Sequence, residues 1–376
     1  MNKSHSPRRR QLLGTAAASM ILSPVTGRHA FAREEKHVMS TTSNYLPVRA
    51  DWLARGTEAA LEPDMPIIDA HHHFYKRPGW TYLLDEYLED ARSGHNITAS
   101  VFMQALTRYR PSGPEALRPV GEIEYVASVT TPLQSGKPQV AKGMVGYADL
   151  RRGPAVRDVL EAELDAGDGR FRGVRHLVTW DADQTLVNPI SAAPRGLLLD
   201  PDYGAGVAQL ASLGLSYDAW LFFPQLPELY ELAKSNPHTS FIINHCGGVL
   251  RIASYAKQRE EVFDAWSRSM RTLAELPNVY VKVGGLGMRI NGFEFEKGER
   301  PPSSDQLAQA WKPWIYTCID AFGAARCMFE SNFPVDKGSY PFSNGWNAFK
   351  KLTAQASPAE REALFRGTVT KAYRFE

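Results

Sequence analysis

Two histidines one residue apart, at the end of an apolar run, are the first residues in this chain able to do chemistry. The segment reads Ile68-Asp69-Ala70-His71-His72-His73-Phe74. Alternate side chains of an extended strand share a face, so Asp69, His71 and His73 are expected on one side and His72 on the other. Two imidazoles on one face can grip a metal ion or polarise a substrate carbonyl. Phe171-Arg172-Gly173-Val174-Arg175-His176 ends a second apolar run and offers two guanidinium groups, which suit bidentate recognition of a carboxylate. A regular strand would turn Arg172 and His176 one way and Arg175 the other, and a rim ion pair is the structural use of either arginine. Asn244-His245-Cys246-Gly247-Gly248 sets His245 where two glycines open the backbone, as a base or a third ligand. Phe329-Glu330-Ser331-Asn332-Phe333-Pro334-Val335-Asp336 turns Glu330 and Asn332 the same way. A buried glutamate is costly unless paired or coordinated, here with Arg172 or Lys282 if not with a ligand. Asp218, Lys282 and Asp336 join Arg172, Arg175 and His176 as candidate substrate-binding groups, with a structural ion pair as the other use of Lys282.

These residues can meet only if the strands that carry them end at one place. The apolar runs Pro66–Ala70, Ile97–Leu106, Val140–Leu150, Phe171–Val178, Leu215–Phe222, Phe241–His245, Val279–Val283 and Arg326–Ser331 read as strands. Helical patterns separate them, among them Tyr82–Ala91, Val156–Ala166, Pro227–Ser235, Glu260–Leu276 and Asp305–Phe322, with another inside Leu117–Ser135 and one ending near Gly214. Strand–helix alternation predicts parallel βαβ units, and eight of them predict a single-domain (β/α)8 TIM barrel of the α/β class over 65–376. In that architecture reactive groups sit at the C-terminal ends of the strands, where the polar residues above fall. No glycine-rich phosphate fingerprint follows any strand, which argues against nucleotide binding.

Of the 376 residues, 43% are hydrophobic and 22% charged, enough for a large soluble core, and the net charge of +2 with no basic stripe excludes nucleic acid as a partner. Arg8, Arg9 and Arg10 precede Gln11-Leu12-Leu13 and a small-residue apolar stretch through Leu22, and Ala30-Phe31-Ala32 supplies a cleavage site. This is the layout of a twin-arginine signal peptide over 1–32, so the protein is expected to meet the twin-arginine export machinery and reach the periplasm folded. The apolar stretch is too short to span a membrane. Residues 33–64 lack periodicity and read as a linker or an arm wrapping the domain. Three cysteines (Cys246, Cys318 and Cys327) without a C-x-x-C are expected to be buried small hydrophobes rather than a disulfide framework.

Taken together, Ile67–Phe74, Phe171–His176, Asn244–Gly248 and Ser331-x-Phe333-Pro334-Val335 resemble the amidohydrolase-related proteins, and within them the lactonase-like branch. That branch includes 2-pyrone-4,6-dicarboxylate lactonase, sugar-acid lactonases and 4-sulfomuconolactone hydrolase. The resemblance runs from about Pro66 to Ala372-Tyr373-Arg374. It implies a hydrolase that opens a carboxylated lactone in aromatic or sugar-acid catabolism. His71 and His73 would bind a metal or the substrate carbonyl, His245 would form a wall of the site, and strand four would take the acidic group. An amide hydrolase, a decarboxylase and a catalytically silent periplasmic binding protein are the other readings. The chain departs from the family's pattern in two places. Asn332 stands where an aspartate usually activates water, and an amide cannot take a proton near pH 7. Glu330, Asp336 or His245 is then left as the base. Strand five ends Trp220-Leu221-Phe222-Phe223, without a histidine. His71 and His73 as metal ligands leave a single divalent cation such as zinc and metal-independent catalysis equally open.

Overall fold

The computed structural model describes residues 45–375. The signal peptide read in 1–32 and the first part of the 33–64 segment lie outside the described residues. Eight parallel strands follow in sequential order: β1 Pro66–His72, β2 Asn96–Met103, β3 Gln139–Gly146, β4 Phe171–Val174, β5 Ser216–Ala219, β6 Ser240–Ile243, β7 Val279–Lys282 and β8 Cys327–Met328. The sheet closes into a barrel because the segment after β8 returns to β1. Ala70 N donates to Phe329 O at 3.3 Å, Asn332 N to His71 O at 2.9 Å and His73 N to Phe333 O at 2.9 Å. The strands are shorter than their apolar runs, because several runs continue past the ladder as the loops that build the site.

The helices between the strands form the outer layer, each for a local reason. In the helix Arg259–Ala274, the buried residues Val262, Trp266, Met270 and Leu273 recur at helical spacing and make one apolar stripe. At the start of the helix Ser304–Phe322, Ser303 and Gln306 form a capping box. Asp200 caps Pro201–Ser212 by accepting from the Asp202 and Tyr203 amides, with proline at the first position. Two apolar layers result, one between strands and helices and a smaller one inside the barrel. Val369, Ala372, Tyr373 and Phe375 of the chain's last turn pack into the inner layer, and the Tyr373 hydroxyl donates to Asp218 Oδ1 at 2.8 Å. Among the described residues, the bottom of the barrel is thus plugged.

Residues 45–64 pack as an arm rather than a linker. Asn344, Asn347 and Lys350 on the helix Phe342–Leu352 take its backbone: Asn344 Oδ1 accepts from Glu58 N at 2.9 Å, Asn347 Oδ1 from Leu61 N at 2.8 Å, and Lys350 Nζ donates to Leu61 O at 2.6 Å. Cys246, Cys318 and Cys327 are buried and unbridged. Among the described residues, no helix is long and apolar enough to cross a membrane.

Candidate active site

The end of β1 is irregular, and this decides which histidines meet. Its pairing with β2 shifts register between Asp69 and His72. His71 and His73 therefore both face the barrel axis, as alternation predicts, and His72 faces outward. His72 stacks on Tyr87 with ring centroids 3.9 Å apart and hydrogen-bonds Ser100 Oγ at 2.9 Å. Asp69 departs from the expectation. The irregularity turns it to the outer side with His72, where it accepts from Tyr87 Oη at 3.2 Å, Ser331 N at 2.8 Å and Ser331 Oγ at 2.7 Å. Asp69 ties β1 to the segment after β8, and burial pushes its carboxyl up to about 6.

The hydrogen-bond partners assign the tautomers of the inward histidines. His73 Nδ1 faces the Met103 carbonyl at 2.9 Å and must donate to it, so its Nε2 is an acceptor. His71 Nε2 lies 3.0 Å from that atom, so the proton between them belongs to His71. The Lys282 ammonium approaches the other nitrogen, His71 Nδ1, at 3.4 Å. Glu330 Oε2 is 3.0 Å from the same Nδ1 but lacks the alignment of a hydrogen bond. Burial holds both imidazoles well below the usual histidine range, reinforced by Lys282 next to His71 and by Arg175 next to His73.

His245 is held differently. It follows β6 at φ 55°, and its amide N and Nδ1 both point at Glu330 Oε1, at 3.1 and 2.8 Å. The Trp220 ring meets His245 edge-on at 4.8 Å between centroids. Burial lowers the His245 pKa and Glu330 partly restores it. With Nδ1–H committed to a carboxylate, Nε2 is left unprotonated in a residue that lines the central pocket. Two glycines after β7 make room for this pair. A Cβ on Gly284 would meet Glu330 Cγ at 2.6 Å, and one on Gly285, at φ +63°, would meet His245 Nδ1 at 2.3 Å. Gly285→Ala is therefore expected to swing the His245 ring and lower kcat/KM by about two orders of magnitude, with a smaller effect on KM. Near-parental kcat/KM in a folded variant would mean that the ring's position is unimportant.

The structure brings His73, His245, Asn332 and Arg175 to the lining of one pocket, about 650 Å³ counted to its open mouth. His71 and Glu330 lie directly beneath. Asp218 and Lys282 form a buried ion pair at 2.8 Å lower in the barrel, with Asn244 Nδ2 donating to Asp218 Oδ1 at 2.9 Å. They shape the site from below rather than lining it. Asp336 is also buried. It accepts from Asn332 Nδ2, Tyr340 Oη and Gly287 N, each at 2.8 Å, and burial pushes its carboxyl up to about 7. Asn332 is thereby oriented, and its Oδ1 has no hydrogen-bond partner.

Strand four does not follow regular alternation. β4 stops at Val174, and Arg175, not His176, faces the pocket. The Arg175 Nη1 stands 3.3 Å from His71 Nε2, and Nη2 donates to the Gln104 carbonyl. His176 points into the outer layer between the Tyr147 and Tyr203 rings. Arg172 lies at the plugged end beside Arg374 and Phe375, with Nη1 donating to Gly169 O at 2.7 Å, and does not reach the pocket. Sequence reasoning missed Arg77, Gln104 and Tyr45, all in the lining. A polar residue directly after the apolar stretch Val101-Phe102-Met103 was the available signal for Gln104. Arg77 and Tyr45 had none, since each belongs to a connection.

The amidohydrolase family profile matches residues 68–375. The chain belongs to the amidohydrolase family. It is 32% identical to an uncharacterized protein of Sinorhizobium fredii, covering 90% of this chain and 96% of that one. An L-fucono-1,5-lactonase of Burkholderia multivorans is 25% identical, covering 81% of this chain and 95% of its own length. Among solved structures, an amidohydrolase from Burkholderia multivorans crystallised with bound HEPES superposes with a TM-score of 0.64 at 23% identity, covering 83% of this chain and all of that one. A second crystal form of an amidohydrolase from the same organism, with bound zinc, gives a TM-score of 0.62 at 23% identity.

The residues of this amidohydrolase fit a divalent ion poorly. The two Nε2 atoms that would be its first ligands face each other at 3.0 Å, and a guanidinium stands 3.3 Å from one of them. Two cations, Arg175 and Lys282, are already buried here, and Asp218 is taken by Lys282 at 2.8 Å. His71, His245 and Glu330 do bring one ligand atom each within 4.8 Å of the others, but Glu330 Oε1 is already taken by His245 Nδ1, and Asn332 supplies an amide where a second acid would be needed.

Proposed function

We propose that this amidohydrolase opens a lactone ring by hydrolysis, with His245 as general base, without a metal. The observation that carries the reading is the 2.8 Å contact of His245 Nδ1 with Glu330 Oε1. A carboxylate on one ring nitrogen orients the imidazole and stabilises the imidazolium that forms when the other nitrogen takes a proton. The duty usually given to an aspartate at the end of strand eight thus passes to a histidine–carboxylate pair, which is why Asn332 does not imply a silent binding protein. Water attacks the lactone carbonyl carbon as His245 Nε2 takes its proton. Arg175 faces the carbonyl oxygen, where negative charge develops, and His73, with both ring nitrogens taken by Met103 O and His71, shapes the wall beside it. The ring C–O bond then breaks, and the proton on His245 passes to the departing ring oxygen, leaving a hydroxy acid. His71, held by Lys282 and Arg175, positions His73. The lactonase relative in Burkholderia multivorans supports the lactone as substrate class.

The test is a panel of five- and six-membered lactones assayed before and after dialysis against a chelator, with metal analysis of the same samples. Turnover is expected on at least one lactone and retained within about twofold after chelation, since no step uses a metal. Loss on chelation with recovery on adding zinc would overturn the metal-free assignment, and no turnover on any lactone would overturn the hydrolase. Periplasmic export belongs to the same proposal and is supported by Arg8-Arg9-Arg10, the apolar stretch through Leu22 and Ala30-Phe31-Ala32. Replacing Arg9 and Arg10 by lysine is expected to retain the precursor in the cytoplasm, as read by fractionation; unchanged export would refute it.

A further inference from the structure

We infer that Arg77 is the anchor for a carboxylate carried by the lactone, held in place by Tyr45 of the N-terminal arm. The inference rests on the lactone reading above and names the part of the substrate that the pocket recognises. Among the described residues, no aspartate or glutamate lines the pocket, whereas two arginines do. Arg175 lies beneath, with Nη2 donating to the Gln104 carbonyl and Nη1 packed 3.3 Å from His71 Nε2. The other arginine is Arg77. It sits on the short hairpin of Tyr75–Arg77 and Trp80–Tyr82 that follows β1. Its guanidinium carbon lies 4.0 Å from the Tyr75 ring centroid, 5.2 Å from that of Tyr45 and 5.9 Å from that of Trp80. These rings fix the plane of the guanidinium without neutralising it.

The guanidinium is only partly used, by Ala105 and by the Tyr45 side chain. Nη2 donates to Ala105 O at 3.2 Å, while Nη1 is shielded from solvent and has no hydrogen-bond partner. Among the described residues no carboxylate lies within ion-pair distance of Arg77. The acid behind it, Glu122, accepts from Ala105 N and Thr107 N, and burial pushes its carboxyl up to about 7. A shielded guanidinium with an open N–H and no counter-ion is half of an ion pair, and a planar carboxylate is the group that completes it with two parallel hydrogen bonds. Gln104 Nε2, also in the lining and also without a partner, is a second donor for the same group. Leu177, Ile190, Trp220 and Phe222 supply apolar lining for the ring that joins the carboxylate to the ester.

The experiment compares a six-membered lactone bearing a carboxylate next to its ring oxygen with the corresponding carboxamide. Arg77→Met is expected to lower the carboxylate-to-carboxamide ratio of kcat/KM by about thirtyfold, the value of a hydrogen bond to a charged group, with the loss in KM rather than kcat. Arg77→Lys, which keeps the charge but not the fork, should lose about half of that on a logarithmic scale, and Tyr45→Ala about fivefold. A parallel arm needs no turnover: calorimetric titration with tetrahydropyran-2-carboxylate, which wild type should bind at least about tenfold more tightly than Arg77→Met does. An unchanged ratio in Arg77→Met, or a wild type that prefers the carboxamide, overturns the anchor and leaves the hydrolase standing. If neither lactone is opened, the hydrolase reading fails, and the titration alone decides the anchor. Absence of binding by wild type then overturns it.

Discussion

His245→Asn is expected to lower kcat/KM by about three orders of magnitude on any lactone the protein opens, the usual worth of a positioned general base. Asparagine fills similar space and can still donate to Glu330, so the fold should survive, and unchanged thermal unfolding is the control. The pH dependence makes the test sharper. Burial lowers the pKa of His245, so in the wild type the acid limb of kcat/KM, where the base becomes protonated, should lie below that of an ordinary histidine. Glu330 acts in the opposite direction, raising the His245 pKa. Removing its charge in Glu330→Gln should therefore move the acid limb further down in pH while lowering the plateau by about two orders of magnitude, because the imidazolium loses its counter-charge. A plateau loss with no movement of the limb would assign Glu330 a purely structural place. A limb that persists in His245→Asn would assign the titration to another group, with Asp336 next in line.

Much of this geometry was legible in the sequence. The barrel could be read because eight apolar runs alternated with helical patterns, and parallel strands buried on both faces need no alternation within themselves. The inward pair His71 and His73, the outward His72, and the convergence of His245, Glu330 and Asn332 followed from period-two alternation and from the rule that barrel chemistry gathers at strand ends. The misses share a cause. Alternation holds only where the ladder is regular, and β1 shifts register between Asp69 and His72. That shift reverses Asp69, just as the early end of β4 exchanges the parts of Arg175 and His176. Arg77 and Tyr45 were out of reach for another reason. Their positions depend on how a hairpin and an arm fold over the barrel mouth, and no local pattern encodes that packing.

The exchange of aspartate for Asn332 can be tested by reversing it, and Asn332→Asp should reduce activity rather than raise it. In the wild type the Asn332 amide donates to Asp336 Oδ1 at 2.8 Å inside a fully buried cluster. The substitution replaces that donor with a second carboxyl, and two carboxylates at hydrogen-bond distance cannot both ionise. They will share one proton, and because Asp336 alone is already pushed up to about 7 by burial, the shared proton should persist well above neutrality. The sign for stability follows from the raised pKa. A buried acid that keeps its proton in the folded state favours folding at low pH, and this contribution is lost as pH rises from the unfolded carboxyl pKa, near 4, through the folded value. The variant should thus be nearly as stable as wild type at pH 5 and lose about 3–5 kcal/mol by pH 9, when the second charge is forced on a site without a spare cation. In activity the loss should be about tenfold or more at pH 7, since Asn332 Oδ1, the unpartnered acceptor at the pocket wall, becomes part of a proton-sharing pair and no longer presents a fixed carbonyl to the attacking water. The opposite result would be informative. A variant whose kcat rises steadily with pH, and which no longer depends on His245, would have recovered a carboxylate base, and the assignment of that duty to the His245–Glu330 pair would fall.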